Sequence, residues 1–345
     1  MTEFPGVAYV MPVLNEAEYL EEAVASILAQ DYEGDKELVL ALGPSTDDTN
    51  LVAQHLAAQD PRITLVDNPQ GRTPIALNLA IRNSTHPIVV RVDAHSELPT
   101  YYTKRGIETL NRVGAHDVGG LMDARGRTPL QRAIAAAYHS KFGFGGPAYH
   151  SGAPEGEAES AYLGIFRREV FEEVGYFDEN MWRAQDWELC LRIRQAGHKV
   201  WFDPELKVGY YPRDNFPSLV KQSFASGTWR GEIARRFPEG KSLRHDLPPL
   251  LLVGVGAGIV SAVIQPVAGN ALPKPVNILM KLGQVVPVLY TACCVFSGIR
   301  AKGNGLKEKL LTAATFPMIH LPWAAGYIRG RAVGAGSTLD KGRVK

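Results

Sequence analysis

At 345 residues the chain exceeds what one hydrophobic core comfortably fills, so two modules are expected. Apolar residues at 45% and charged ones at 21% are ordinary globular values, and a net charge of +1 with no aromatic-laced basic stripe sets nucleic acid aside as a partner. Cys190, Cys293 and Cys294 give neither a disulfide framework nor zinc spacing, and read as small apolar filler.

The first residues lack a basic segment followed by an apolar run, so no cleaved signal is expected and the first module is expected to stay in the cytoplasm. "GVAYVMPVL" reads as a buried strand, and "NEAEYLEEAVASILAQ" as a helix with Asn15 at its cap. "KELVLALG" is a second strand, followed by the turn "PSTDDT" and the helix "NLVAQHLAAQ". "RITLVDNP", "TPIALNLAIRNS" and "HPIVVRVDAHS" continue as strand, helix and strand. Strict alternation predicts an α/β fold with a doubly wound, mainly parallel sheet. Ligands of such sheets bind beyond the carboxyl ends of the strands. The loops Pro12 to Glu16, Gly43 to Asp48, Asn68 to Arg72 and Asp93 to Ser96 should therefore converge on one crevice.

No glycine-rich dinucleotide fingerprint follows the first strand, and no phosphate-binding P-loop is present. The crevice instead offers Glu16, Asp93 and His95. An acid and an imidazole two residues apart at a strand end suit a divalent ion carrying phosphates, and equally suit a turn cap beside a solvated histidine. Asp186, at the start of an apparent helix ending at Gly197, is open to the same two readings, helix cap or working carboxylate. The glycine-rich stretch before Gly152 either shapes a pocket, with His139, Tyr149 and Glu159 as candidates, or merely connects.

From Leu247 the character changes. Apolar runs at about 247–268 and 282–299 are long enough to span a bilayer. A third, at about 310–328, is interrupted by Pro317, His320 and Pro322. Arg235, Arg236, Lys241 and Arg244 precede the first run, and Arg300, Lys302, Lys307 and Lys309 follow the second, which predicts a hairpin with its ends in the cytoplasm. The third run is expected to be spanning or re-entrant, before a basic tail at 331–345.

The segments "VMPVLNE", "SILAQDY", "ELVLALGPSTDDT", "GRTPIALNLAIRNS", "RVDAHSE", "YLGIFRREVFEEVGYFDE", "QDWELCLRIRQAGHKVWFDP" and "QSFASGTWRGE" resemble, in order, the family 2 glycosyltransferases. Within them the likeness is to the membrane-attached, succinoglycan-type glucosyltransferases, and it covers roughly residues 7 to 235. The resemblance implies a GT-A fold, an inverting transfer from a nucleotide-sugar donor, and a polyprenyl-linked saccharide acceptor at the cell membrane. The catalytic domain would occupy 1–235 and membrane-associated helices 236–330.

By the same likeness, Asp93 and His95 hold Mg²⁺ or Mn²⁺ against the donor diphosphate. Pro12, Asn15, Glu16, Ser45, Asp47, Arg72 and Asp93 line the donor site. Asp186 is the catalytic base, because an acceptor hydroxyl needs its proton removed as it attacks. Trp187, Gln222, Trp229 and Arg230 belong to the acceptor side and a closing segment, with Lys221 beside them. One departure stands out: where the family carries an aspartate pair after the second strand, this chain has Ala41, Leu42, Gly43 and Pro44. UDP-sugar is the first expectation for the donor, with GDP- and dTDP-sugars open. Rival readings are an enzyme that loads sugar onto polyprenyl phosphate, a non-catalytic membrane scaffold that binds nucleotide or glycan, and a pyrophosphorylase, against which the apolar runs argue.

Overall fold

A computed structural model describes residues 4–143, 153–237, 245–268, 272–303, 305–336 and 338. The elements in chain order are β1 (Val7–Val13), α1 (Leu20–Leu28), β2 (Lys36–Leu42), α2 (Thr49–Gln59), β3 (Ile63–Asp67), α3 (Thr73–Arg82), β4 (Ile88–Arg91) and β5 (Ser96–Glu97). There follow α4 (Tyr102–Val113), β6 (Asp117–Ala124), α5 (Pro129–Tyr138), β7 (Gly156–Glu157), β8 (Tyr162–Arg167), α6 (Glu169–Val174), α7 (Gln185–Gln195) and β9 (Val200–Tyr210). Four long helices end the chain: α8 (Phe216–Arg236), α9 (Leu247–Ala268), α10 (Lys274–Arg300) and α11 (Gly305–Val333).

Two compact units result. The first comprises residues 1–125 and 147–211, the second 126–146 and 212–340, with 341–345 assigned to the first but outside the described residues. These units do not follow the expected division at residue 235, because α8 packs along α11 and α5 lies with them.

In the first unit, strand order is β3-β2-β1-β4-β8-β6-β9-β5, with β7 beside β9. β1, β2, β3 and β4 are mutually parallel. The alternation in the sequence foretold that half of the sheet. β8 runs antiparallel between β4 and β6 and makes the sheet mixed. Being antiparallel, it lies outside the rhythm of strand, helix and parallel strand, which carries no sign of it.

Both sheet faces are covered, as the apolar strand runs require. Tyr9, Met11, Ile88 and Val90 pack toward α1 and α4. Val10, Val39 and Val89 pack toward α3 and α7, against Leu77, Leu189 and Ile193. Chain order reverses between β1 and β4, so their carboxyl ends open a crevice between the loops that follow them.

One cap expectation is corrected. α1 starts at Leu20, not at Asn15; Asn15 sits at φ 55°, and Tyr19 is the cap residue. The Asn15 side chain accepts a hydrogen bond from the Thr46 N–H at 2.7 Å instead, tying the loop after β1 to the loop after β2.

In the second unit α5 opens on a capping box, Thr128 with Gln131, and α8 opens on the Asn215 side chain, which accepts from the Ser218 N–H at 2.8 Å. α8 and α11 meet through glycines spaced four apart on each helix. A Cβ at Gly227 would lie 2.0 Å from the Trp323 carbonyl, at Gly231 2.3 Å from Tyr327 O, at Gly326 2.1 Å from Phe224 O, and at Gly330 1.9 Å from Thr228 O. Small residues here let two backbones touch, the device helices use where burial of apolar area alone cannot join them.

α9 and α10 are long and apolar enough to cross a membrane, over Leu247–Val267 and Lys274–Arg300, and most of their side chains face outward. The third apolar run lies inside α11, which does not meet that standard among the described residues. It buries Phe316, Ile319 and Ala324 against protein, Glu308 at its start pairs with Arg132 at 2.7 Å, and His320 bonds the Gly143 carbonyl at 3.0 Å.

Gly330→Ala should lower the unfolding midpoint of detergent-purified protein by the equivalent of about 1–3 kcal/mol, the usual cost of overpacking a close contact. Gly256→Ala on α9, where an added Cβ meets nothing within 4 Å, should leave it unchanged or raise it slightly. Equal midpoints for both variants would count against the helix contact.

Candidate active site

Side chains alternate faces along a strand, so Arg91 shares the face of Val89 and is turned toward α7. α7 begins after Ala184, whose left-handed φ of 59° turns the chain into the helix. That turn brings Asp186 over the end of β4. Asp186 is the second residue of α7 and does not hold the cap position, which is Ala184. Its Oδ1 accepts instead from Arg91 Nη1, while Arg91 Nη2 donates to Asp93 Oδ1 at 3.1 Å. A single buried guanidinium thus joins two carboxylates that are 93 residues apart in sequence.

The shared arginine leaves the two acids unlike each other. For Asp93, burial works upward, but the Arg91 charge, helped by His95, outweighs it and holds the pKa below the ordinary aspartate value. For Asp186, burial is the larger effect, and with the nearby Asp93 charge it keeps the pKa raised despite Arg91. Paired titratable groups whose environments push them apart are the usual sign of divided chemical labour.

His95 turns to Glu16, with its Nδ1 2.8 Å from Glu16 Oε1. The loop after β1 and the loop after β4 therefore close on the same point, Glu16, Asp93 and His95. A divalent cation fits this donor set. Glu16 Oε2 is buried with no hydrogen-bond partner, and a carboxylate beside an imidazole suits Mg²⁺ or Mn²⁺. Among the described residues no three such side chains form a ready cage, so the remaining ligands of an ion there would come from a bound diphosphate and water.

The other expected donor residues gather around the same loops. The Asn15 N–H donates to Ser45 Oγ at 3.1 Å, and the Glu16 N–H to Thr49 Oγ1 at 2.8 Å. Asp47 accepts from the Thr49 N–H at 3.1 Å and from its hydroxyl, and across the loops from the Ala17 N–H at 3.4 Å. Asn15, Ser45 and Asp47 thus brace the two loops against each other. Pro12 lies in β1 beyond the last residue paired with β4. Arg72 covers the Trp182 ring at 4.5 Å. Where the family's aspartates would stand, Ala41 and Leu42 are buried and the Gly43 N–H is bonded to Val13 O at 2.8 Å.

The remaining expectations fall elsewhere. Trp187 is 8% exposed, so its ring faces the fold and not an open acceptor cleft. Gln222, Trp229 and Arg230 lie on α8 in the second unit. There the buried Trp229 donates to the Thr338 carbonyl at 2.8 Å, and Arg230 approaches His245 at 3.5 Å. His139 is the exposed C-cap of α5, Glu159 is exposed, and Tyr149 lies outside the described residues. Glu188 braces the helix, holding Arg192 at 2.7 Å.

Residues 9–175 match the family model described as Glycosyl transferase family 2, a span that holds Glu16, Arg91, Asp93 and His95. Over 324 residues the chain is 32% identical to the succinoglycan biosynthesis protein ExoA of Rhizobium meliloti (strain 1021), covering 93% of each chain. The chain belongs to the family 2 glycosyltransferases. This glycosyltransferase is also 23% identical over 239 residues, 67% of its length and 74% of the relative's, to the dolichyl N-acetyl-alpha-D-glucosaminyl phosphate 3-beta-D-2,3-diacetamido-2,3-dideoxy-beta-D-glucuronosyltransferase of Methanococcus voltae. Its GT-A fold is shared with the mannosyltransferase PcManGT from Pyrobaculum calidifontis, solved in complex with GDP-Man and Mn²⁺. The TM-score is 0.62 at 20% identity, over 96% of this chain and 88% of that one.

One turn beyond Asp186 on α7, Cys190 meets a second acid that the glycosyltransferase buries. Asp117 at the start of β6 accepts from Cys190 Sγ at 3.3 Å through Oδ2, and its Oδ1 has no hydrogen-bond partner. Burial pushes its pKa from 3.8 up to about 8. The folded state therefore holds a proton that the unfolded chain releases, and this acid's contribution to stability falls as pH rises from about 4 to about 8. Asp117→Asn should raise the unfolding midpoint at pH 8 and lose that advantage by pH 5. A midpoint difference independent of pH would show that Asp117 is ionised in the fold.

Proposed function

We propose that this glycosyltransferase is an inverting enzyme that moves a sugar from a nucleotide-sugar to a lipid-linked saccharide in the synthesis of a surface glycan. The observation that carries the reading is the Arg91 bridge, which brings a carboxylate of raised pKa against one of lowered pKa at the mouth of the crevice. Asp186 takes the proton from the acceptor hydroxyl as that oxygen attacks the anomeric carbon; a carboxylate of raised pKa is the stronger base. Attack from the face opposite the leaving diphosphate inverts the anomeric centre. Asp93 and His95, with Glu16 steadying the imidazole, would hold Mg²⁺ or Mn²⁺, which when bound neutralises charge on the departing diphosphate. Asn15, Ser45 and Asp47 keep the two donor-side loops together. The donor is expected to be UDP-linked.

A lipid-linked acceptor is supported by the apolar α9 and α10 and by the Methanococcus voltae relative, whose name states a dolichyl-linked saccharide acceptor. Membrane attachment through these helices, with the catalytic unit on the cytoplasmic side, belongs to the same proposal.

The test is a panel of UDP-, GDP- and dTDP-sugars assayed with Mg²⁺ or Mn²⁺ and membrane lipid extract. Asp186→Asn should lower kcat by about 10²–10⁴-fold while donor KM changes little, because only the base is removed. Asp93→Ala should abolish metal-stimulated turnover. Survival of turnover in both variants overturns the mechanism. The acid limb of kcat should lie above the titration range of a free aspartate, since Asp186 must be ionised to act. Arg91→Gln removes the charge that pulls the Asp186 pKa down and should move that limb higher still; a limb that stays put would detach Asp186 from the rate.

A further inference from the structure

The second unit carries a groove of about 440 Å³ between the start of α9 and the end of α11. Leu250, Val253 and Ile328 form its apolar walls. Leu250 is 67% and Val253 62% exposed, on a helix long and apolar enough to lie in a bilayer. At one end the lining turns polar, with Asp246, Arg331 and Tyr327.

That end holds more positive than negative charge. Arg331 Nη1 lies 3.0 Å from Asp246 Oδ1 and remains about half exposed. Arg230 Nη2 lies 3.5 Å from His245 Nδ1, and both Arg230 and Arg331 act electrostatically on the Tyr327 hydroxyl. That hydroxyl is buried and makes no hydrogen bond of good geometry. The rings of His245, Trp323 and Tyr327 cluster beside it, with Trp323 and Tyr327 stacked at 5.3 Å. An apolar slot that ends in guanidinium donors, an imidazole and a phenol complements an amphiphile with an anionic phosphate head, because guanidinium and phenol donors match phosphate oxygens and water cannot compete along the apolar walls.

We propose that this groove binds the phosphate-bearing end of a polyprenyl-linked acceptor, with the prenyl chain along Leu250, Val253 and Ile328 and the phosphate at Arg331, Arg230, His245 and Tyr327. The assignment rests on the lipid-linked acceptor reading above. It adds the segment of the chain that holds the lipid.

The experiment measures binding of farnesyl diphosphate to the full chain in phosphatidylcholine nanodiscs, with EDTA present and no donor. Inorganic diphosphate and phosphatidylglycerol serve as competitors. Arg331→Gln and Val253→Trp, at opposite ends of the groove, should each weaken binding about tenfold or more, the worth of one charge-assisted hydrogen bond or of an occupied slot. Arg331→Lys should restore part of it. Unchanged affinity in both variants overturns the assignment. So does equal competition by inorganic diphosphate, which would mean an anion site only, or by phosphatidylglycerol, which would mean a bilayer phospholipid. Should the variants fail to fold, a photoreactive prenyl diphosphate on the wild type must label residues 247–253 or 327–332; labelling elsewhere overturns the proposal. Binding and labelling without glycosyl transfer to prenyl-linked sugar would sink the acceptor reading, and with it the groove's role as an acceptor site, while leaving a prenyl-phosphate site there. Transfer that both groove variants leave untouched would do the reverse.

Discussion

A guanidinium buried at the end of β4 organises the catalytic unit. Taking an arginine out of water is unfavourable unless its charge is met, and Arg91 meets two carboxylates, one from its own strand end and one from α7. This constraint acts in both directions. The arginine needs the acids in order to be buried, and the acids gain unlike proton affinities because His95 adds a second lowering influence at Asp93 while the Asp93 charge itself raises Asp186. The left-handed Ala184 follows from the same requirement, since the helix has to start where its second residue reaches Arg91. The loop after β1 completes the arrangement through Glu16 and His95. Three chain segments far apart in sequence are thereby registered on the reversal point of the sheet.

Much of this was legible beforehand, and the parts that were not have physical reasons. Periodicity located β1 to β4 and their helices because each buries a regular apolar face. β8 escaped because an antiparallel strand does not follow the alternation from which the parallel half of the sheet was read. Asp93, His95, Glu16 and Asp186 could be named from residue type and family likeness, whereas Arg91 could not, although a signal existed: a charged residue closing the run "IVVR", in a strand buried on both faces, must find partners. Which partners depends on a turn at Ala184, and nothing in the residue type of alanine announces a positive φ. Asn15 was misassigned for a related reason. Its preference for helix caps and its tolerance of left-handed backbone come from the same short polar side chain, and here the second property prevails.

The C-terminal unit shows the limit of hydropathy as a guide. Three runs look alike in composition, yet only α9 and α10 turn their apolar side chains outward, while α11 turns its own against α8, α5 and α10. Prolines and a histidine inside α11 are tolerable because neighbouring protein supplies partners, as His320 finds in the Gly143 carbonyl. The "QSFASGTWRGE" motif accordingly does double service, with Trp229 packed inward and Gly227 and Gly231 permitting the helix contact.

The facing glycine pairs of α8 and α11 also restrict how this region can change over time. Each helix advances 1.5 Å and turns about 100° per residue. Inserting or deleting a single residue between Gly227 and Gly231, or between Gly326 and Gly330, would swing one glycine off the seam and bring a side chain against a carbonyl that now lies within 2.3 Å of a would-be Cβ. Side-chain identity on the outer faces is free to drift, but helix length across the seam is not, so the spacing of the glycines behaves as a ruler for this part of the chain.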